Sequence, residues 1–219
     1  MLLRRALYPK LLPILLAAAL SLAVAATPGQ VSSFFRAVQM DDARTVKTML
    51  GGAQVDPNDI NPIGGEPPLV LALREGSMAV FETLLAHPGT RVDTPALNGN
   101  TALMMAAFKG NRAAAEALIA RGAAVNRPGW TPLHYAAAGG DDAIAGLLLE
   151  HGARIDAPSP RASGSYTPLM LAAREGKEDT ARFLLAHGAD PRLKNGEGLT
   201  AAQIAARAEH PSLAKALTR

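Results

Sequence analysis

Residues 131–156 run Thr131-Pro132-Leu133-His134-Tyr135-Ala136-Ala137 and then AGGDDAIAGLLLEHGARID, ending at Asp156. Their chemistry reads as two short helices and the turn between them. Thr131 supplies an N-cap hydroxyl, and Pro132 occupies the first helical position, where no N–H is needed. Leu133 and the small pair Ala136-Ala137 share the face meant for a neighbouring helix. Gly140 stands where the first helix must end, Asp142 puts negative charge in the first turn of the second, and Gly152 closes it after Leu147-Leu148-Leu149. Helices this short are marginal alone in water, so the unit has to bury its apolar face against copies of itself.

The copies are present. Thr167-Pro168-Leu169-Met170-Leu171-Ala172-Ala173, Thr101-Ala102-Leu103-Met104-Met105-Ala106-Ala107 and Pro67-Pro68-Leu69-Val70-Leu71-Ala72-Leu73 repeat the opening, and weaker echoes begin at Ser32 and Thr200. Starts at 67, 101, 131, 167 and 200 are spaced by 34, 30, 36 and 33 residues. A second apolar stretch and a glycine follow each strong copy, with the glycine at Gly89, Gly122, Gly152 and Gly188. A fixed period of this size marks a stacked repeat architecture. The composition agrees: 48% hydrophobic residues but only 4% aromatic ones, with alanine filling the difference. Alanine favours helix and lets helices approach closely, which argues against a β-sandwich.

The pairs TPLHYAAAGG with LLLEHGARID and TPLMLAAREG with LLAHGADPRL resemble the ankyrin-repeat family. The resemblance spans about Ser32 to the C-terminus, six copies with degenerate terminal caps. It implies an all-α repeat solenoid over residues 27–219, made of stacked helix-turn-helix units with β-hairpin-like fingers between them. From each closing glycine to the next start, the distances are 15, 12, 9, 15 and 12 residues. The third connection, Val125 to Trp130, is therefore expected to form a stunted finger, and segments 56–66 and 156–165 to form long loops. Such loops are either functional or simply tolerated insertions.

Residues 1–26 read as a secretory signal peptide: Arg4, Arg5 and Lys10, then the apolar LLPILLAAALSL from Leu11, then small residues suited to cleavage after Ala25 or Ala26. The apolar run from Leu11 to Ala26 is 16 residues and contains Pro13, short of the ~20 that span a bilayer. An uncleaved anchor is the alternative. Cleavage would place the mature chain in a periplasm or outside the cell. The whole chain carries 22 basic and 19 acidic residues; losing Arg4, Arg5 and Lys10 leaves 19 against 19. The basic excess thus belongs to the targeting segment, and nothing in it argues for nucleic acid.

No catalytic residue, metal site or cofactor is expected. With no cysteine there is no thiol nucleophile, disulfide or thiolate site. His87, His151 and His187 fall at the ends of second helices in successive or alternate units, where a partial positive charge suits the dipole. Stacked helices lie ~8–10 Å apart, too far for equivalent histidines to share one zinc ion at ~2.0–2.1 Å. His134, on the family's Thr-Pro-Leu-His histidine, is expected to hydrogen-bond within the stack. Asp41-Asp42 and Asp141-Asp142 read as caps, and Met104 and Met170 as core filling.

What remains is a binding face. The family's partners usually meet the finger tips and the exposed side of helix one. The residues expected there are Trp130, Tyr166, Phe108, Arg74, Arg174, Glu175, Glu66 and Asn100. Large aromatics and arginine dominate interface energetics. The competing reading of Trp130 is a cover over the stacking seam. These residues point to a non-catalytic protein-binding module, monomeric, with no nucleic-acid or membrane partner after cleavage. Two other readings stay open: a stress-protective accessory of a periplasmic enzyme, such as a peroxide-removing one, and an inhibitor or immunity-type partner of a secreted protein.

Overall fold

Residues 26–218 are described by the computed structural model; the expected signal peptide, residues 1–26, lies outside them apart from Ala26. They form twelve α-helices in six pairs: α1 (Pro28–Gln39) and α2 (Ala43–Gly51), α3 (Pro68–Glu75) and α4 (Met78–Ala86), α5 (Ala102–Phe108) and α6 (Arg112–Ala120), α7 (Pro132–Gly139) and α8 (Asp142–Glu150), α9 (Pro168–Arg174) and α10 (Glu178–Ala186), α11 (Ala201–Arg207) and α12 (Pro211–Ala216). The odd-numbered helices pack in series from α1 to α11, and the even-numbered ones form a second, looser row behind them. The result is the expected helical solenoid. Among the described residues, no helix is long and apolar enough to cross a membrane.

The core is a ladder written by the repeat. Leu69, Leu103, Leu133 and Leu169 stand at one place in successive first helices, and Leu84, Leu118, Leu148 and Leu184 at one place in the second helices; all eight are buried. Each contributes about 1.5–3 kcal/mol by leaving water. The alanine pairs Ala106-Ala107, Ala136-Ala137 and Ala172-Ala173 are buried completely. They let first helices approach closely, and α5 and α7 make the most intimate pair.

Caps follow the reading of the motif except at Thr131, whose hydroxyl makes no cap hydrogen bond and lies instead 2.8 Å from His134 Nδ1. Thr101, Thr167 and Thr200 accept from the backbone N–H three residues on. Asp42, Asn111 and Asp141 cap the second helices of their pairs in the same way. The acidic pairs are thus structural. Asp41 accepts from the Val80 N–H at 2.9 Å, reaching across to the start of α4. Asp142 takes the Thr180 hydroxyl of α10. The first unit differs from expectation at its start. In register with the others it begins at Ser32, but α1 is one turn longer, because Thr27 and Gln30 form a capping box and Pro28 opens the helix.

The turn between the helices of a pair requires a left-handed residue. In the second to fifth units a glycine fills it, as at Gly140 (φ 82), and the terminal units use Asp41 (φ 55) and Glu209 (φ 62) instead. The fingers are closed turns, with no strand among the described residues; the hairpin-like expectation holds only in their closing hydrogen bonds. Asn61 donates to Glu66, Ala96 to Asn100, Ser159 to Tyr166 and Asn195 to Leu199, each backbone to backbone.

A second ladder, of polar side chains, joins the first five units, each to the next. Asn58 accepts from the Arg91 N–H at 2.8 Å and donates to the Gly89 carbonyl at 2.9 Å. Asn126 repeats both bonds with Arg154 and Gly152. Asp93 accepts from the Ala124 N–H, and Asp156 from the Asp190 N–H, both at 3.1 Å. The residues carrying it lie just past the glycine that ends each second helix.

Candidate functional site

The short connection between α6 and α7 sets the geometry of the front face. Each finger takes the number of the unit it precedes, so the short one between α6 and α7 is finger four. Finger three is tied to finger two by Leu97 N–H donating to the Gly65 carbonyl, and finger six to finger five by Gly196 donating to Gly164, each at 2.8 Å. Finger four, three residues shorter than its neighbour on one side, has no such backbone bond to either adjoining finger among the described residues. Beside it, where α5, α7 and α9 adjoin, opens a pocket of about 280 Å³. Phe108, Trp130, Tyr135, Leu171, Arg174 and Glu175 shape it.

The aromatic walls meet at steep angles. Phe108 and Tyr135 have ring centroids 6.3 Å apart and planes at 89°. Trp130 lies 6.4 Å from Tyr135 at 66°, and 5.3 Å from the His134 ring at 80°. Phe108 is 55% exposed, a large apolar surface for a residue at the end of a helix. Tyr135 was not singled out by sequence. It occupies the position after the motif histidine, where the neighbouring units carry Met105 and Leu171, so only its ring chemistry marks it. Its hydroxyl donates to Asn100 Oδ1 at 2.6 Å, and burial pushes its pKa up. Asn100 therefore acts by fixing Tyr135.

His134 forms the floor of the pocket and is fully buried. Its Nδ1 accepts from the Thr131 N–H at 3.2 Å and lies 2.8 Å from the Thr131 hydroxyl. That arrangement leaves the proton on Nε2, which donates to the Tyr166 carbonyl at 2.9 Å. The neutral imidazole thus links the fourth unit to the fifth. Burial holds its pKa below the usual histidine value. Met104 and Met170 occupy the same place in the adjoining units, both buried, and the Met170 sulfur accepts from the Thr167 N–H at 3.4 Å.

Two residues expected on the surface are not there. Tyr166 is only 8% exposed. The long fifth finger folds shut over it: Ser159 and Tyr166 exchange hydrogen bonds, and the Gly164 backbone lies so close that a Cβ there would meet the ring at 2.6 Å. The Arg174 guanidinium covers it further, 5.3 Å from the ring centroid. Glu66 is likewise buried, because it pairs with Arg74 at 2.5 Å. Arg74 also binds Glu75, at 2.8 Å, so its charge is spent inside the second unit. The pocket thus gathers Phe108, Trp130, Arg174 and Glu175, with Asn100 one bond removed. Tyr166 lies beneath Arg174, while Glu66 and Arg74 do not line the pocket.

Of the three histidines expected at helix ends, His151 and His187 sit as the dipole argument requires, whereas His87 Nδ1 accepts from the Gly89 N–H at 3.2 Å instead of meeting a helix carbonyl. His210 precedes α12, at the opposite pole of a helix. Nδ1 of His151 and of His187 lies within 2.9 Å of the carbonyl four residues earlier, that of Leu147 and Phe183. Among the described residues, no group of three or more His, Cys, Asp or Glu side chains could hold a metal ion.

Comparison with known proteins agrees with this architecture. The family model described as ankyrin repeats (3 copies) matches residues 34–128, 69–159, 124–195 and 158–219. SH3 and multiple ankyrin repeat domains protein 1 of Mus musculus is 37% identical over 130 residues, 57% of this chain and 6% of that protein; the Homo sapiens protein of that name matches to the same extent. RelA-associated inhibitor of Mus musculus is 48% identical over 66 residues, 29% of this chain and 8% of that protein. The matched segments are thus a small part of those relatives. The leucine ladder, the Thr-Pro caps and the family match, which runs through all but the first turns of the stack, have one meaning: this chain belongs to the ankyrin-repeat family.

Proposed function

We propose that this protein is an exported, non-catalytic protein-binding module that seats a partner side chain in the pocket beside finger four. The observation that supports this reading is the set of steeply angled aromatics, Phe108, Trp130 and Tyr135, around a concave space with an arginine on its rim. Its volume of about 280 Å³ suits one large side chain of a protein better than a whole small metabolite. Aromatic walls with arginine are the composition of interface hot spots. Relatives whose names describe multi-domain and inhibitor proteins fit an interaction role. Export rests on the signal-like residues 1–26.

The test is capture from an envelope extract on the immobilised protein, beside a Phe108→Ala/Trp130→Ala variant with an unchanged circular dichroism spectrum. Loss of two central aromatics should weaken a captured partner by at least tenfold, since hot-spot truncations cost about 2 kcal/mol or more each. Full retention by the folded variant would sink the assignment. N-terminal sequencing of the exported chain should begin at Ala26 or Thr27; an intact Met1 would favour the anchor.

A further inference from the structure

Fingers five and six form a second site of opposite character. Between them lies a notch of about 440 Å³ lined by Arg161, Ser165, Lys194, Asn195 and Gly196. Among the described residues, neither Arg161 nor Lys194 has a carboxylate within ion-pair distance, whereas the acids on the same finger are already engaged: Asp190 with Arg192, and Glu197 with Arg207. Asn195 is only 6% exposed. Its Oδ1 accepts from the Glu197 N–H at 3.0 Å and from the Leu199 N–H at 2.9 Å, closing the finger. Its Nδ2 is buried and has no hydrogen-bond partner.

We infer that this notch binds an oxyanion. The side chains that line it bring a guanidinium, an ammonium, a hydroxyl and an amide N–H, all donors, and no carboxylate is among them. The acceptor oxygen of Asn195 is turned to the finger's own backbone, which leaves the donor end without a use inside the fold. Buried donors are almost always paired, so an unpaired one beside two uncompensated cations marks a place for an incoming acceptor. A phosphate group and a carboxylate of an acidic segment share the required chemistry. The inference stands apart from the pocket beside finger four, and neither depends on the other.

The experiment is a titration of the 15N-labelled protein at constant ionic strength, with inorganic phosphate in one arm and a capped tetraglutamate peptide in the other. The readout is the side-chain amide of Asn195 and the backbone amide of Gly196. Saturable shifts are expected in at least one arm, at least tenfold weaker in Arg161→Ala/Lys194→Ala, both exposed positions whose loss leaves the core intact. Asn195→Asp keeps the two accepted bonds and replaces the donor by an acceptor, so it should abolish binding while the protein stays folded. Tighter phosphate binding would identify a free oxyanion or phosphate group, and tighter peptide binding an acidic segment of a protein. Absent or unsaturating shifts in both arms, or equal shifts in the double variant, would overturn the assignment.

Discussion

Glu209 shows what a single residue costs when the repeat departs from its own pattern. It occupies the left-handed turn that glycine fills in the four inner units, with φ at 62° and its side chain exposed. A non-glycine residue pays about 1–2 kcal/mol there, partly offset by glycine's greater freedom when unfolded. Glu209→Gly should therefore stabilise the protein by about 0.5–1 kcal/mol, measured by urea denaturation; an unchanged or lower midpoint would contradict the strain argument. Asp41 is a poor control, since its carboxylate also caps α4. His134 offers a residue-scale test of pH. Its folded pKa lies below the ordinary 6.5, so the unfolded chain binds more protons in that window. Its contribution is complete above about 6.5 and is lost as pH falls through that value, at no more than about 1.4 kcal/mol per pH unit for one proton. His134→Met, which copies Met104 and Met170, should flatten the difference in urea midpoint between pH 7.5 and pH 5.

At the scale of elements, the helices were legible because each rests on local signals that repeat: a threonine cap, a proline at the first position, leucines at fixed offsets, a glycine at the turn. The fingers were legible only in length. The three-residue deficit before Thr131 was plain from the spacing, and it proved to mark the pocket. Burial of Tyr166 was not legible, because it depends on the path of a ten-residue loop folding back through Ser159 and Gly164. The same holds for Glu66, whose burial depends on Arg74 lying eight residues away on the next helix. Asn58, Asp93, Asn126 and Asp156 could have been found by asking what an acid or amide just past the closing glycine is for. If finger length shapes the pocket, adding three residues between Asn126 and Trp130 should cut partner affinity at least tenfold. Thermal stability should change little, since longer surface loops cost only tenths of a kcal/mol.

For the whole molecule, stability is a sum of units and of the contacts between neighbours. Those contacts are uneven. The middle of the stack combines the intimate α5–α7 pair, the His134 bridge and the Asn126 staple. The last unit is held through its first helix: α11 packs on α9 as closely as α7 does, but α12 buries Leu213 alone within its length and packs chiefly on α11. Trp130 is the chain's single tryptophan, and it stands in the central connection. An optical probe placed there watches only the best-held part. Melting followed by tryptophan emission should therefore look later and sharper than melting followed by helical dichroism, which also counts the ends. Coincident curves would instead mean that the array unfolds as one block. The aromatic that shapes the pocket thus also biases the commonest stability assay, which would record a fraying solenoid as an intact one.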